Sequence, residues 1–390
     1  MNYYLRILLV AAVMTGLLLG HTKKTYDQND FSKKNDESRL TLLFMGDIMQ
    51  HQTQIDCAWD DSLNTYVYDY NFEYVAPIIS SADIAIANFE VTLGGKPYTG
   101  YPAFSAPEQI VPAIIKAGVD IVGTANNHSC DRGKAGILRT IKLLDSLGLR
   151  HTGTFADTAS RNSSYPAIIN KNGIKLALLN YTYGTNGIVV PGPVYVNMID
   201  TIQMAIDLKK AKDSIPDKTI VFIHWGDEYK SQPNAFQTGL AEFLFRNGAD
   251  LVIGMHPHVI ERMERMHYPD SSGREVVVCY SLGNYISNQR ERYKDGGAML
   301  QIELTKKDGK TEITQSGYYL TWVYTPLING KKKFFIVPVS KAEQLGLLKD
   351  EASVEKMNIF AADSRSLLNT GNIGIGEYSY DIKTDSWNVK

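Results

Sequence analysis

The chain has 390 residues, 44% of them hydrophobic and 21% charged, which is ordinary globular composition with ample length for a large core. Lys and Arg number 40 against 42 Asp and Glu, a formal charge of -2, so there is no basic field to hold a phosphate backbone and nucleic acid is not an expected partner. Length alone allows roughly two domains or one enlarged α/β domain.

In chain order, Arg6 and the apolar run 7–20 are followed by polar His21, Lys23 and Lys24. A basic start, a short apolar stretch and a polar exit are the layout of a secretory segment, so residues 1–20 are expected to be a signal peptide or an uncleaved N-terminal anchor. Both readings place the body of the protein in the periplasm or elsewhere outside the cytoplasmic membrane. Residues 21–38, rich in Lys, Asp, Asn and Ser, read as a flexible leader. From there on, apolar runs at 42–45, 84–88, 119–125, 175–180, 219–224, 250–254 and 276–282 alternate with helical patterns at 108–117, 137–147, 202–211 and 240–247. Strands spaced by helices imply βαβ units and a largely parallel sheet covered on both faces, an α/β fold. Beyond Gly296, residues 298–304, 311–319 and 334–337 read as strands joined by hairpin-type connections. A helix over 353–368 and a polar tail complete the chain. Cys57, Cys130 and Cys279 are odd in number and without paired spacing, so no disulfide framework is implied, and Cys130, beside His128, is the thiol singled out.

Five of the apolar runs finish in residues able to bind metal. "TLLFMGD" ends at Asp47, "DIAIANFE" at Asn88 and Glu90, "DIVGTANNH" at Asn127 and His128, "TIVFIHWGDE" at His224, and "DLVIGMHPH" at His256 and His258. Carboxyl ends of strands in open α/β sheets lie along one edge, where ligands bind, so residues scattered in sequence can converge there. Imidazole, carboxylate and an Asn carbonyl suit divalent transition ions. Each residue alone has a simpler use: Asp47 as a helix cap, Asn88 and Asn127 as turn formers, a lone His as a core residue. Five such ends in one chain point to metal.

In order and rough spacing, "FMGDIM", "IANFE", "ANNHSCDRG", "IHWGDEY", "GMHPH" and "YSLGNYI" resemble the CapA family, the bacterial capsule or poly-γ-glutamate synthesis group within the calcineurin-like metallophosphoesterase superfamily. The resemblance covers residues 40 to 304 and implies a four-layer α/β/β/α sandwich over 39–304, with 305–390 completing it or packing on it as strands, helix and polar tail. It also implies a centre of two divalent ions (Mn, Fe or Zn). Asp47, Glu90, Asn127, His224, His256 and His258 would be ligands, with Glu90 where a carboxylate bridges both ions. His128 would face the substrate as acid or electrostatic helper, oriented by Asp131. Two positions depart from the superfamily pattern: Met49 stands where Asp-x-His would place a ligand, and Val91 where some relatives carry Asn, so the second ion is in question. Asn88 could compensate from the other side of Glu90. Glu228 and Tyr229 are candidates for supporting the ligands or facing substrate, Arg132 for an anionic substrate group or an exposed ion pair, and Asn284 for a turn at the edge of the site.

These residues lead to an extracytoplasmic metal-dependent hydrolase, a phosphoesterase first, in capsule or poly-γ-glutamate synthesis. The expected partners are an anionic or phosphorylated surface polymer and membrane capsule-synthesis proteins. Two rival readings are an amide hydrolase or transferase using the same site on an acidic polymer, and a scaffold without catalysis, which the residues at 49 and 91 favour. The His128–Asp131 pair favours a catalyst, since a scaffold has no use for it.

Overall fold

The computed structural model describes residues 37–269 and 273–389. The signal or anchor reading, and the leader reading up to residue 36, fall outside the described residues. Ser38, the last residue of the expected leader, opens the first strand, β1 (Ser38–Ile48).

The fold rests on two sheets. The first contains β1, β2 (Ile84–Phe89), β3 (Ile121–Gly123) and β4 (Arg150–Thr152), each parallel to the next. The second contains β5 (Ala167–Lys171), β6 (Ile174–Thr182), β7 (Lys218–His224), β8 (Leu251–Met255), β9 (Met263–His267) and β10 (Glu275–Cys279), in the order β9-β10-β8-β7-β6-β5. The chain then returns to the first sheet with β11 (Asn284–Ile286), which pairs with the end of β1, and with β12 (Gly296–Lys307), antiparallel to β1. Then come β13 (Lys310–Tyr324) and β14 (Phe335–Pro338), the latter paired with β13. Two further strands, β15 (Gly376–Asp381) and β16 (Ser386–Val389), complete that sheet, whose main path runs β16-β15-β13-β12-β1-β2-β3-β4. Residues from Glu37 onward pack as one compact unit. No helix among the described residues is long and apolar enough to cross a membrane.

The spacing of apolar runs suggests one sheet covered by helices on both faces; the structure has two sheets instead. The reason lies in the two-residue period of a strand. Leu40, Leu42 and Phe44 of β1 share one core with Leu176 and Leu178 of β6 and Ile220 and Phe222 of β7, which is the layer between the sheets. The alternate residues Leu43 and Met45 pack instead under α1 (Ile110–Ala117) and α2 (Gly133–Ser146). On the other sheet, Leu179, Val221 and Ile223 pack under α3 (Thr201–Asp213) and α4 (Ala235–Arg246). Both faces of each strand are therefore buried, one by helices and one by a second sheet, and a continuous apolar run cannot distinguish the two covers. The result is the α/β/β/α sandwich.

A long helix, α5 (Glu351–Gly371), covers the expected 353–368 with a turn to spare. The polar tail after it is a correction: residues 376–389 form the hairpin β15–β16. Tyr378 stacks on Tyr319 (4.5 Å, 10°) and the Trp387 ring meets Tyr319 edge-on at 5.0 Å. A few alternating aromatics hold the strands, too sparse a signal among Asp, Lys, Thr and Ser to read as structure.

Candidate metal centre

The carboxyl ends of β1, β2, β7 and β8 bring their terminal residues to one place, as the turn after β3 also does. The first device is a bulge: the pairing of β1 with β2 shifts register between Met45 and Asp47, which re-aims Asp47. Gly46 permits it, since a Cβ there would lie 2.0 Å from the Gly283 carbonyl oxygen. After β8 the backbone turns through His256 (φ 102°) and His258 (φ 59°), both left-handed, so that two imidazoles separated by Pro257 project into the same space. Such conformations cost about 1–3 kcal/mol each in a residue with a side chain and persist only when their surroundings impose them.

Asp47, Glu90, Asn127, His224, His256 and His258 are all buried and stand together. One donor atom each from Glu90, His224 and His256 lies within 4.8 Å of the others, as do those of Asp47, Glu90 and His258. Glu90 thus belongs to both groups, the position a bridging carboxylate needs. Asn127 Oδ1 is 3.1 Å from His224 Nε2, and Glu90 Oε1 is 3.6 Å from the same nitrogen. Asp47 Oδ2 lies 3.2 Å from His258 Nδ1. Glu90 Oε1 and His256 Nδ1 are buried without a protein partner, a costly arrangement unless something else binds there. Burial pushes the Glu90 carboxyl well above the ordinary carboxylate range, with the Asp47 charge adding to it. Burial likewise holds the His224 ring far below its usual value and brings His256 down to about 3, with neighbouring imidazoles contributing to both. A carboxyl forced toward neutrality beside imidazoles held neutral is what a cation reverses, so the donor set fits divalent metal.

Asn88 acts from the side. Its Nδ2 donates to Asp47 Oδ1 at 2.7 Å and lies 3.3 Å from His224 Nδ1, so the amide nitrogen ties two candidate ligands together. His128 is the sequence neighbour of Asn127 but takes part in none of the three donor groups. Its Nδ1 is 2.7 Å from Asp131 Oδ2, which also accepts from the Phe104 backbone N–H at 2.7 Å. The His128 ring meets Phe104 edge-on at 4.5 Å, leaving Nε2 without a hydrogen-bond partner among the described residues.

Several candidates turn out differently. Asn284 is more than an edge turn: paired with Asp47 across β11, it places Oδ1 3.2 Å from His258 Nδ1. Arg132 forms no ion pair among the described residues; the space beside Gly94 and Gly136 is filled by its Cβ and Cγ, which anchors the start of α2. Cys130 is corrected: it is buried with Ala125 and Ile137, and burial lifts its thiol to about 11, so it is no reactive group. Met49 and Val91, 1% and 3% exposed, belong to the core under the helices and offer nothing to an ion. Glu228 is exposed, yet its carboxylate forms a third donor group with His256 and His258. The Tyr229 ring stacks on His258 at 6.0 Å.

Two residues were missed. Tyr183, just past β6, packs on His256 at 4.4 Å and lies parallel to His224 at 6.3 Å; its signal is a sixth polar strand end, "NYTYG". His51 packs on Phe104 at 5.5 Å, and burial takes its ring down to about 4, with His258 and His128 contributing. Its position four residues beyond Asp47 was the available clue. A cavity of about 960 Å³ shares none of these residues; it is lined by Glu343, Arg365 and Glu377 among others, and the Arg365 guanidinium there is already taken by both glutamates.

Comparison with known proteins bears on this centre. The chain is similar to a "Capsule biosynthesis protein CapA" of Bacillus anthracis, 29% identical over 297 residues, covering 72% of this chain and 67% of that protein. It is also similar to a "PGA biosynthesis protein CapA" of Bacillus subtilis (strain 168), 27% identical and covering 72% of each. Among solved structures, the Haemophilus influenzae NAD nucleotidase (NadN) aligns at 15% identity and a TM-score of 0.46, covering 90% of this chain but only 59% of that one. The model of one family, "Bacterial capsule synthesis protein PGA_cap", matches residues 41–289, which hold every residue of the centre, and the chain belongs to that family.

Proposed function

We propose that the chain is an extracytoplasmic metal-dependent phosphoesterase of capsule synthesis, acting on an anionic or phosphorylated surface polymer or its precursor. The observation that carries this reading is the His128–Asp131 pair, at 2.7 Å, set beside a buried cluster of carboxylates and imidazoles with unpartnered donor atoms. Asp47, Glu90, Asn127, His224, His256 and His258 would hold divalent ions of the Mn, Fe or Zn class, with Glu90 shared between two. When bound, such ions supply positive charge to phosphoryl oxygens and acidify the attacking water.

The chain's own residues have separate tasks. Asp131 accepts from Nδ1–H of His128 and so fixes the ring's orientation, leaving Nε2 to face the leaving oxygen as general acid. Phe104 fixes the ring plane from one side. Asn88 and Asn284 orient Asp47, His224 and His258. The extracytoplasmic placement rests on the secretory layout of residues 1–20. Membrane capsule-synthesis proteins are the proposed partners, and nucleic acid is not one, on the charge balance. A scaffold that binds polymer is the second reading, supported by the core packing of Met49 and Val91 in place of ligands. Amide hydrolysis or transfer on an acidic polymer would use the same centre.

The test is a phosphoester substrate panel run alongside elemental analysis. A general acid contributes roughly 10²–10⁴-fold to rate, whereas loss of a ligand also costs metal. His128→Ala should keep the metal and lose most hydrolysis, while His256→Ala should lose both. A wild-type protein that binds metal and cleaves no phosphoester, with His128→Ala still supporting polymer production in cells, would leave the scaffold standing.

A further inference from the structure

Between His224 and the N-cap of α4 runs the connection Trp225-Gly-Asp-Glu-Tyr-Lys-Ser-Gln-Pro-Asn234. A polar surface connection ordinarily turns its carboxylates to water. This one is fixed at both ends of the segment that carries Glu228. On one side, Gly226 (φ 91°) lies against the Gln237 amide, whose Nε2 donates to the buried Glu261 at 2.6 Å, and Asp227 Oδ2 accepts from Asn234 Nδ2 at 2.8 Å. On the other side, Tyr229 adopts φ 66°, which costs a bulky residue roughly 1–2 kcal/mol. Three contacts hold it there. Its N–H donates to the Pro257 carbonyl at 2.8 Å, its ring stacks on His258, and its hydroxyl accepts from Gln289 Nε2 at 3.4 Å.

With the backbone turned in this way, the Glu228 carboxylate comes to His256 and His258, one donor atom of each lying within 4.8 Å of the others. Two further observations point to a ligand there. His256 Nδ1 is buried and has no protein partner. Lys294, which packs on the Tyr229 ring at 4.3 Å, pairs with Glu291 at 3.0 Å and not with Glu228.

We infer that Glu228 is a metal ligand, joining His256 and His258 around a divalent ion. The inference rests on the metal reading proposed above. Two imidazoles and a carboxylate oxygen suit Mn, Fe or Zn, whereas the Met49 thioether is soft, neutral and packed in the core. The carboxylate arrives on a connection strained into place. Because Glu228 is the exposed member of its group, the ion it holds is the more weakly bound.

The experiment uses the purified full chain, stripped with a chelator and titrated with Mn²⁺, with bound metal counted after equilibrium dialysis. A parallel sample is loaded with Co²⁺ and its visible spectrum recorded. Glu228→Gln, nearly isosteric, should weaken the last Mn²⁺ equivalent at least tenfold and change the Co²⁺ spectrum, with an unchanged metal-free melting curve. Glu228→Asp should fall between. Glu291→Gln removes the same charge from the same face and should change neither readout. Unchanged Mn²⁺ affinity and Co²⁺ spectrum in Glu228→Gln would overturn the inference while leaving the metal reading intact. An equal loss in Glu291→Gln would overturn it as well, because charge alone would then explain the effect. A wild-type chain that takes up neither ion would overturn the metal reading and the inference together.

Discussion

Replacing Glu261 by Gln isolates one buried carboxyl three residues beyond His258. Glu261 is fully buried; one oxygen accepts from Gln237 Nε2 at 2.6 Å and the other has no partner. Burial lifts its pKa from the ordinary 4.5 to about 8, against the opposing pull of the Gln237 bond. Between those values the folded protein keeps a proton that the unfolded chain has released. Its contribution to stability is therefore whole below 4.5 and is lost progressively as pH rises through 8. Each pH unit inside that window is worth about 1.4 kcal/mol, so going from pH 5 to pH 7 should remove about 2–3 kcal/mol. Gln carries no titrating proton. Its carbonyl keeps the bond from Gln237, and its NH₂ sits where a protonated carboxyl would equally lack an acceptor. The variant should match wild type within about 1 kcal/mol at pH 5 and exceed it by about 2–3 kcal/mol at pH 7. Urea unfolding of the metal-free protein, followed by tryptophan fluorescence at both values, reads the change in the wild-type-to-variant difference, in which the other titrating groups cancel. A difference that is the same at pH 5 and pH 7 refutes the reasoning.

Gly226→Ala places a Cβ about 2.7 Å from the Gln237 amide in a left-handed conformation. It should cost about 1–3 kcal/mol in urea unfolding and also weaken Mn²⁺ binding, because the displaced segment carries Glu228. Asp131→Asn keeps an oxygen that can accept from the Phe104 N–H but disturbs the contact that orients the His128 ring. Its rate on the phosphoester panel should fall between wild type and His128→Ala, at unchanged metal content by elemental analysis.

Much of the centre was legible because its residues sit at strand ends, and strands were visible as apolar runs. Asp47, Glu90, Asn127, His224, His256 and His258 need only the rule that carboxyl ends of strands share an edge. Asn284 was placed too loosely, since its nearness to His258 follows from β11 pairing with Asp47, a contact made by a three-residue strand too short to read. His51 escaped because it lies past the strand, where direction depends on turns, and Tyr183, at a strand end, because a phenol is not a usual donor to such ions. The second sheet was hidden for a related reason: Leu42 and Leu43 look alike in sequence, yet one faces the other sheet and the other faces helices.

Several unfavourable features of the described chain meet at the centre. His256, His258 and Tyr229 hold left-handed backbones, Glu90 Oε1, Asn88 Oδ1 and His256 Nδ1 are buried without partners, and a carboxyl beside imidazoles is pushed toward neutrality, all around one point. The sandwich that carries them is otherwise well packed, its four layers sharing strands buried on both faces. A scaffold that gripped polymer through its surface would gain nothing from unpartnered donors in its interior, and their loss would be cheap. Those donors become useful only when a cation occupies the space between them, and Glu228 adds a carboxylate beside His256 and His258. The strain and the unpartnered donors are thus two aspects of one arrangement, in which both sheets bring donors to the same point.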